Sequence, residues 1–454
     1  MEIVRTAARI VLTVIPVLLI KNHKTRRHLK HAALNGVPIS EDRTNTLLKR
    51  IRHRTLLFHL LFFIPGALFW STIFASLERT PLTGRWRLII LSPEEEDEIA
   101  AQLAGPGWYQ AVGEILSQDG PAQLIPPSDW RYGWVRDTLR ELERTIPVLI
   151  DEEENCKNWS QGGIEHIPLP PPAEYPLRPR PRASEYLRMF CESMCKRHVS
   201  PVPHSIPGPP YSLLVVDKPE ASNAFSYGFG PDGGGGIVVY SGFLDEILSR
   251  APPENEVVGP EPQSSVPTAS QTAELAILLS HELAHLVLSH HLETLSSATI
   301  IIPGVMSIIS DIIRVVIFPV TMIFGPFVND AVAQLGKLGS GEMEKVGEYC
   351  TSVKQEIEAD VVSVRLLAHA GYDARKAVTF WEHRTNSLAE CSSDHKEHPS
   401  SSFVHKITGS QHPVNEVRVN SLKGELLRWE TERRAELRRR LAPPPSNHIN
   451  LATA

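Results

Sequence analysis

Apolar residues fall along this chain in three long runs and several shorter periodic stretches. The clearest run, Thr55 to Leu77, holds 23 residues with no Asp, Glu, Lys or Arg and one histidine. Arg50, Arg52 and Arg54 precede it and Glu78-Arg79 follows it. That length and flanking pattern predict a transmembrane helix, and a kink at Pro65-Gly66 is one that membrane helices tolerate. Its basic flank lies on the N-terminal side, so the positive-inside rule puts residues 21–54 on the interior face and the bulk of the chain across the membrane. The run from Ala7 to Ile20 is shorter than the ~20 residues a span needs. With Arg5 and Arg9 it reads as a signal-type or re-entrant segment, but a dense basic stretch, KNHKTRRHLKH, stands where a cleavage site would follow. The third run, Ala298 to Val328, is broken by Pro303, Asp311, Arg314, Pro319 and Pro326. It fits either a membrane-embedded hairpin or a hydrophobic lid on the domain.

Between and beyond these runs the periodicity alternates between helical and strand-like. Residues 88–94 read as a strand, followed by the acidic helix start SPEEEDEIAAQL; 130–148 have helical apolar spacing. Residues 161–183 are proline-rich and read as an exposed insertion. A helix is expected over 184–198, and short β-rich runs over Tyr211–Val216 and Gly236–Tyr240, joined by a turn-rich connection. Residues 251–268 read as a polar, proline-rich loop. One apolar helix is expected from Thr272 to about Ser296, another over 346–370, and a charged amphipathic helix over 424–441, facing solvent or a partner. The expected class is therefore α+β, mainly helical. Its divisions are a basic N-terminal segment (1–54), the membrane helix (55–77), a catalytic domain (78–423) and a charged C-terminal helix and tail (424–454).

Composition changes this picture little. The chain has 454 residues, 42% hydrophobic and 22% charged, which is the balance of a folded protein. A formal net charge of -6 argues against a nucleic-acid partner. Five cysteines at irregular spacing do not form a disulfide framework, and Cys191 and Cys195 read as structural thiols.

The chemistry sits in the helix around LAILLSHELAHLVLSHH. Positions i and i+4 share a helical face, so His281 and His285 present two imidazoles to one metal. Glu282 points beside that metal, where it can take a proton from water. Zinc in a catalytic site needs a third protein ligand and an open position. VKQEIEADVVSVRLL offers Glu356 as that ligand, with Asp360 one turn further on, able to accept a hydrogen bond from a ligand histidine and orient it. Glu358 lies about 200° around the helix from Glu356 and is the poorer ligand. His290 lies off the His281–His285 stripe. HExxH alone is a moderate signal. Burying His and Glu in an apolar helix is costly without a partner, and that context strengthens it.

With HELAH and EIEAD in view, the chain resembles the membrane gluzincin family that includes HtpX and the CAAX prenyl proteases. Three further segments resemble its mitochondrial inner-membrane branch: ERTPLTGRWRLIILSPEEE at 78–96, SNAFSYGFGPDGGGGIVVYSGFLD at 222–245 and QHPVNEVRVNSL at 411–422. The resemblance implies a zincin-like metallopeptidase domain with a small β-sheet edge, and one Zn(2+) per subunit on His281, His285 and Glu356. It implies Glu282 as general base, His412 as a stabiliser of the oxyanion and Arg418 as the residue that positions His412. It further implies that Asn223, Ala224 and Phe225, with the strand 236–240, form an edge to which a peptide adds as a strand.

The expected partners are membrane-protein or peptide substrates and the lipid bilayer, with a homo-oligomer left open. The resemblance implies quality control or stress-activated processing at the mitochondrial inner membrane. One rival reading is an endoplasmic-reticulum or prenyl-protein metalloprotease, and the few membrane runs count against it. The other is a catalytically silent membrane scaffold that keeps a structural zinc.

Overall fold

In the computed structural model, residues 2–36, 39–91, 93–117, 120–161, 168–178, 192–194, 208–250, 267–297, 353–391 and 416–441 are described. The chain opens with two long helices, α1 (Glu2–Leu34) and α2 (Glu41–Ser76). They run antiparallel: the Asn22 side-chain amide donates to Thr55 Oγ1 at 3.3 Å, and Arg54 Nη1 donates to Thr25 Oγ1 at 3.3 Å. The expected membrane segment is thus helical from Thr55 to Ser76, and the short run at 7–20 lies within α1. Leu56, Leu57, Leu60, Phe63, Trp70 and Phe74 of α2 are exposed. Among the described residues, no helix is long and apolar enough to cross a membrane.

Leu77, expected as the last residue of the apolar helix, is instead the first residue of a strand. β1 (Leu77–Arg79) pairs antiparallel with β2 (Trp86–Leu88), with Leu77 opposite Leu88. No linker separates this hairpin from α2. The strand expected over 88–94 is displaced to Trp86–Leu88, and α3 (Pro93–Leu103) follows.

The rest of the described chain is built around a four-stranded sheet in the order β3-β4-β6-β5. β3 is Gln123–Leu124, β4 Ser212–Asp217, β5 Ala224–Gly228 and β6 Gly235–Tyr240. β4 and β6 are parallel, and β5 returns antiparallel on β6. Alternation along each strand sorts the side chains onto two faces. Val216, Phe225, Val238 and Tyr240 pack with Trp108, Val112 and Leu116 of α4 (Pro106–Ser117). Leu213, Val215, Ala224, Ile237 and Val239 join the main core on the other face. The glycines at 233–236 do more than extend a loop, because Gly235 and Gly236 belong to β6. A Cβ on Gly236 would stand 2.5 Å from the Ser212 carbonyl oxygen and 2.6 Å from the Trp108 ring, so only glycine lets that ring lie on the sheet.

The main-core face is covered by helices. Residues 130–148, expected as one helix, form α5 (Trp130–Glu143) and α6 (Ile146–Ile150), followed by α7 (Glu152–Asn155). α8 is Ser241–Ser249 and α9 is Ala269–Val287. The single helix expected from Thr272 to Ser296 is broken at Ser289, whose left-handed backbone (φ 54°, ψ 43°) starts α10 (His290–Ser296). α11 spans 353–369, α12 Lys376–Cys391 and α13 Glu416–Leu441.

Two further expectations change. Within the proline-rich stretch, residues 168–178 are not an exposed insertion: Pro170, Pro171 and Leu177 are buried, and the Ala173 amide donates to Glu152 at 2.8 Å. The division at 423/424 falls inside α13, and Trp429 of that helix is buried in the main core. The run at 298–328 and most of the helix expected over 184–198 lie outside the described residues.

Candidate metal centre

α9 begins at a capping box, in which the Thr268 hydroxyl accepts from the Gln271 amide and the Gln271 side chain accepts from the Thr268 amide. From Leu275 to Val287 every residue of α9 is buried, as in a helix that is apolar on all sides and forms a core. His281, Glu282 and His285 are the polar interruption. Near-complete burial of three such groups is costly unless they find charges or a metal.

They do converge. His281 Nε2 lies 3.3 Å from His285 Nε2 and 3.2 Å from Glu356 Oε2, while His285 Nε2 lies 3.5 Å from Glu356 Oε1. Both imidazole Nε2 atoms and the Glu356 carboxylate thus gather at the close range that ligands of one metal keep, with a different carboxylate oxygen nearest each histidine. Charge gives the same answer. Glu282, Glu356 and Asp360 place three carboxylates in the buried cluster against the one guanidinium of Arg418. The deficit of two positive charges is what a divalent cation supplies. His281, His285 and Glu356 are the residues that would hold it.

Each ligand is braced. His281 Nδ1 stands 3.0 Å from Asp360 Oδ1, which leaves Nε2 to face the metal position. Arg418 grips Asp360 bidentately, with Nε and Nη2 each at 2.8 Å, and its Nη1 lies 3.0 Å from Glu356 Oε2. Burial opposes the charge on Asp360, but Arg418 and His281 outweigh it and hold the carboxyl below its usual range. Burial likewise works against protonated His281, yet Asp360 and Glu356 raise its pKa above the ordinary value. Trp381 of α12 completes this wall, its ring 5.1 Å from that of His281 and 4.7 Å from the Arg418 guanidinium.

The expected residues are therefore brought together, with three adjustments. Arg418 is committed to the carboxylates of α11. His412, which it was expected to position, lies outside the described residues. The substrate edge also changes, because β6 lies inside the sheet and β5 is its edge among the described residues. The Tyr240 amide donates to the Asn223 carbonyl, and antiparallel bonding alternates along the strand. Asn223, Phe225 and Tyr227 therefore turn their backbone groups inward, while Ala224, Ser226 and Gly228 offer theirs to the open edge. Phe225 also buries its ring under α4, away from the metal position.

Ser226 went unnoticed in sequence, and His290 and Glu358 were weighed only as ligands. Ser226 shares the face of Ala224 and donates from Oγ to Glu282 Oε2 at 2.9 Å. His290, off the ligand stripe of α9, is carried back by the break at Ser289 until its Nδ1 is 2.9 Å from His285 Nδ1. Glu358, the poor ligand, lies 3.3 Å from His290 Nε2 and accepts from Arg85 at 2.7 Å. Burial raises the Glu358 pKa, but His290, Arg85 and Thr83 outweigh it and hold the carboxyl down to about 2.

An HExxH helix with a later glutamate closing a three-ligand cluster defines a metallopeptidase of the gluzincin kind. The chain belongs to peptidase family M48, whose sequence model matches residues 192–426, more than half its length. No curated relative and no solved structure matches the chain.

Proposed function

We propose that the chain is a zinc endopeptidase of membrane proteins, anchored by α2 and acting at the mitochondrial inner membrane in quality control or stress-activated processing. The observation that carries the chemistry is the buried convergence of His281 Nε2, His285 Nε2 and the Glu356 carboxylate with Glu282 beside them. Zinc, when bound, supplies polarisation of a carbonyl and a lowered pKa for water. Ser226 fixes Glu282 Oε2, so Oε1 is the atom that takes the proton from the attacking water and returns it to the leaving amine. The open edge at Ala224, Ser226 and Gly228 aligns the substrate backbone as an added strand beside Glu282. His412 stabilises the developing oxyanion.

The anchor rests on the sequence, whose stretch 55–77 carries no Asp, Glu, Lys or Arg, and on the exposed leucine, phenylalanine and tryptophan side chains of α2, although the described residues alone form no helix long and apolar enough to span. The mitochondrial address is supported by the basic, acid-free stretch 3–30 and by the resemblance of the segments at 78–96, 222–245 and 411–422. Glu282→Gln should keep its bound metal and lose peptide-bond hydrolysis by about a hundredfold or more. Equal turnover by wild type and variant would overturn the mechanism. Organelle fractionation with an alkaline carbonate wash tests the anchor, and release of the chain into the wash would remove it.

A further inference from the structure

His281 rests on Asp360, whereas His285 rests on another histidine. Its partner there is the Nδ1 of His290, at 2.9 Å. For His285 to ligate through Nε2 its proton must sit on Nδ1, so Nδ1–H donates and the Nδ1 of His290 accepts. That fixes the second tautomer too: His290 carries its proton on Nε2, 3.3 Å from Glu358 Oε2. Both histidines are buried, as is Glu358.

Glu358 is held from outside α11. Arg85 Nε donates to Glu358 Oε2 at 2.7 Å, Thr80 Oγ1 donates to Oε1 at 2.8 Å, and Thr83 Oγ1 donates to the same oxygen. Arg85 is itself fixed by a fork onto Glu293 of α10, with Nη1 at 2.8 Å and Nη2 at 2.6 Å. Thr80, Thr83 and Arg85 all lie on the turn between β1 and β2. From β2, Arg87 extends an arm to the Leu288 carbonyl at the end of α9 and pairs with Glu78 of β1. The hairpin that leaves α2 without a linker therefore closes off the end of the HExxH helix and grips the far end of the chain of contacts behind its second ligand.

We propose that His290, Glu358 and the hairpin residues Arg85, Thr80 and Thr83 form a positioning relay for His285, so that metal affinity depends on the seating of the hairpin that leaves α2. The relay rests on the reading of His281, His285 and Glu356 as metal ligands. It adds that the segment after the apolar helix determines how well they bind, and that His290 acts through His285 without touching metal or substrate.

The test is a double-mutant cycle on the full-length protein, read as the zinc dissociation constant by competition with a chromophoric chelator. Circular dichroism of the metal-stripped form checks the fold. His290→Phe keeps a ring of similar size but neither accepts from His285 nor places an N–H against Glu358, and should weaken zinc binding about 10- to 100-fold. Arg85→Met should weaken it several-fold in the wild-type background and not at all in His290→Phe, because its effect passes through His290. His290→Gln, which can both accept and donate, should recover most of the loss. Unchanged affinity in His290→Phe, or an Arg85→Met effect that persists undiminished in that background, overturns the relay. If His290→Phe does not fold, Arg85→Met and Thr83→Val are read alone, and wild-type affinity in both overturns it. Failure of the underlying reading is separate: wild type would then bind no zinc, or His281→Ala would leave binding intact.

Discussion

His281 and His285 leave the same helix one turn apart, yet the protein supports them by unlike means. Behind His281 stands a carboxylate, Asp360, on the helix that also supplies the third ligand, and behind it a fully buried arginine. Behind His285 stands another histidine, then Glu358, then Arg85, whose side chain is 22% exposed. The first arm is short and lies inside the core. The second is longer and ends on a hairpin tied to α2. A metal position can thus be rigid on one side and dependent on a distant segment on the other. The two arms should differ in energy, in pH response and in their tolerance of small changes.

The largest difference is expected on removing the two arginines. Arg418→Met strands Asp360 and Glu356 as buried carboxylates, and breaking a buried pair in this way costs about 3–5 kcal/mol. Arg85→Met leaves Glu358 with Thr80, Thr83 and His290 in a wetter place, and should cost about 2 kcal/mol. Denaturant unfolding of the two metal-stripped variants compares them directly. Equal losses would erase the distinction between an inner and an outer arm.

The next contrast is in pH. The folded pKa of Glu358, about 2, lies below its ordinary 4.5, so its stabilisation is present above about pH 4.5 and fades as the pH falls towards 2. The folded pKa of His281 is raised above 6.5, so in the metal-free chain its stabilisation is full below that value and is lost as the pH rises through the folded one. Both arms thus weaken towards acid, since Asp360 of the inner arm is also held below its usual range, but only the inner arm adds a histidine that weakens towards alkali. Thermal midpoints of metal-stripped protein across that range should show Glu358→Gln flattening the acid limb, by about 3 kcal/mol at most, and His281→Gln flattening the alkaline limb. An alkaline limb flattened by Glu358→Gln as well would mean that the arms titrate as one unit.

The same contrast explains what could be read from sequence. The His281 arm is made of local spacings: His281 and His285 four apart, Glu356 and Asp360 four apart, each pair on one helical face. The His285 arm is made of tertiary placement. His290 falls off the ligand stripe only if the helix continues, and a left-handed serine with no glycine signal ends it. Glu358 reads from spacing as the poorer ligand, but spacing within α11 cannot show that Thr80, Thr83 and Arg85 arrive from almost 280 residues earlier. The strands β4 and β6 were found from their β-branched runs, whereas β5 lies in the stretch expected as a turn-rich connection between them. The order that leaves β5 at the edge was not found, because the parallel pairing of β4 with β6 depends on α4 and α9 covering both faces. Trp429 was hidden among charges, since one buried tryptophan in α13 barely marks an otherwise polar helix.

The smallest effect is also the most local test of the contrast. Thr80 is fully buried and its hydroxyl donates to Glu358 Oε1 at 2.8 Å, a bond to a charged acceptor in the outer arm. Thr80→Val keeps the shape, removes that donor, and should cost about 1–2 kcal/mol above about pH 4.5, a loss that shrinks as the pH falls towards 2. Ser363 is its counterpart beside the inner arm, one turn from Asp360, but its hydroxyl donates to the Asp360 backbone carbonyl at 2.8 Å, not to the carboxylate. Ser363→Ala should therefore change stability by less than about 0.5 kcal/mol and leave the pH profile alone. If the two substitutions proved alike, the hydroxyls on the hairpin would be ordinary packing, and Glu358 would owe its position to Arg85 and His290 alone.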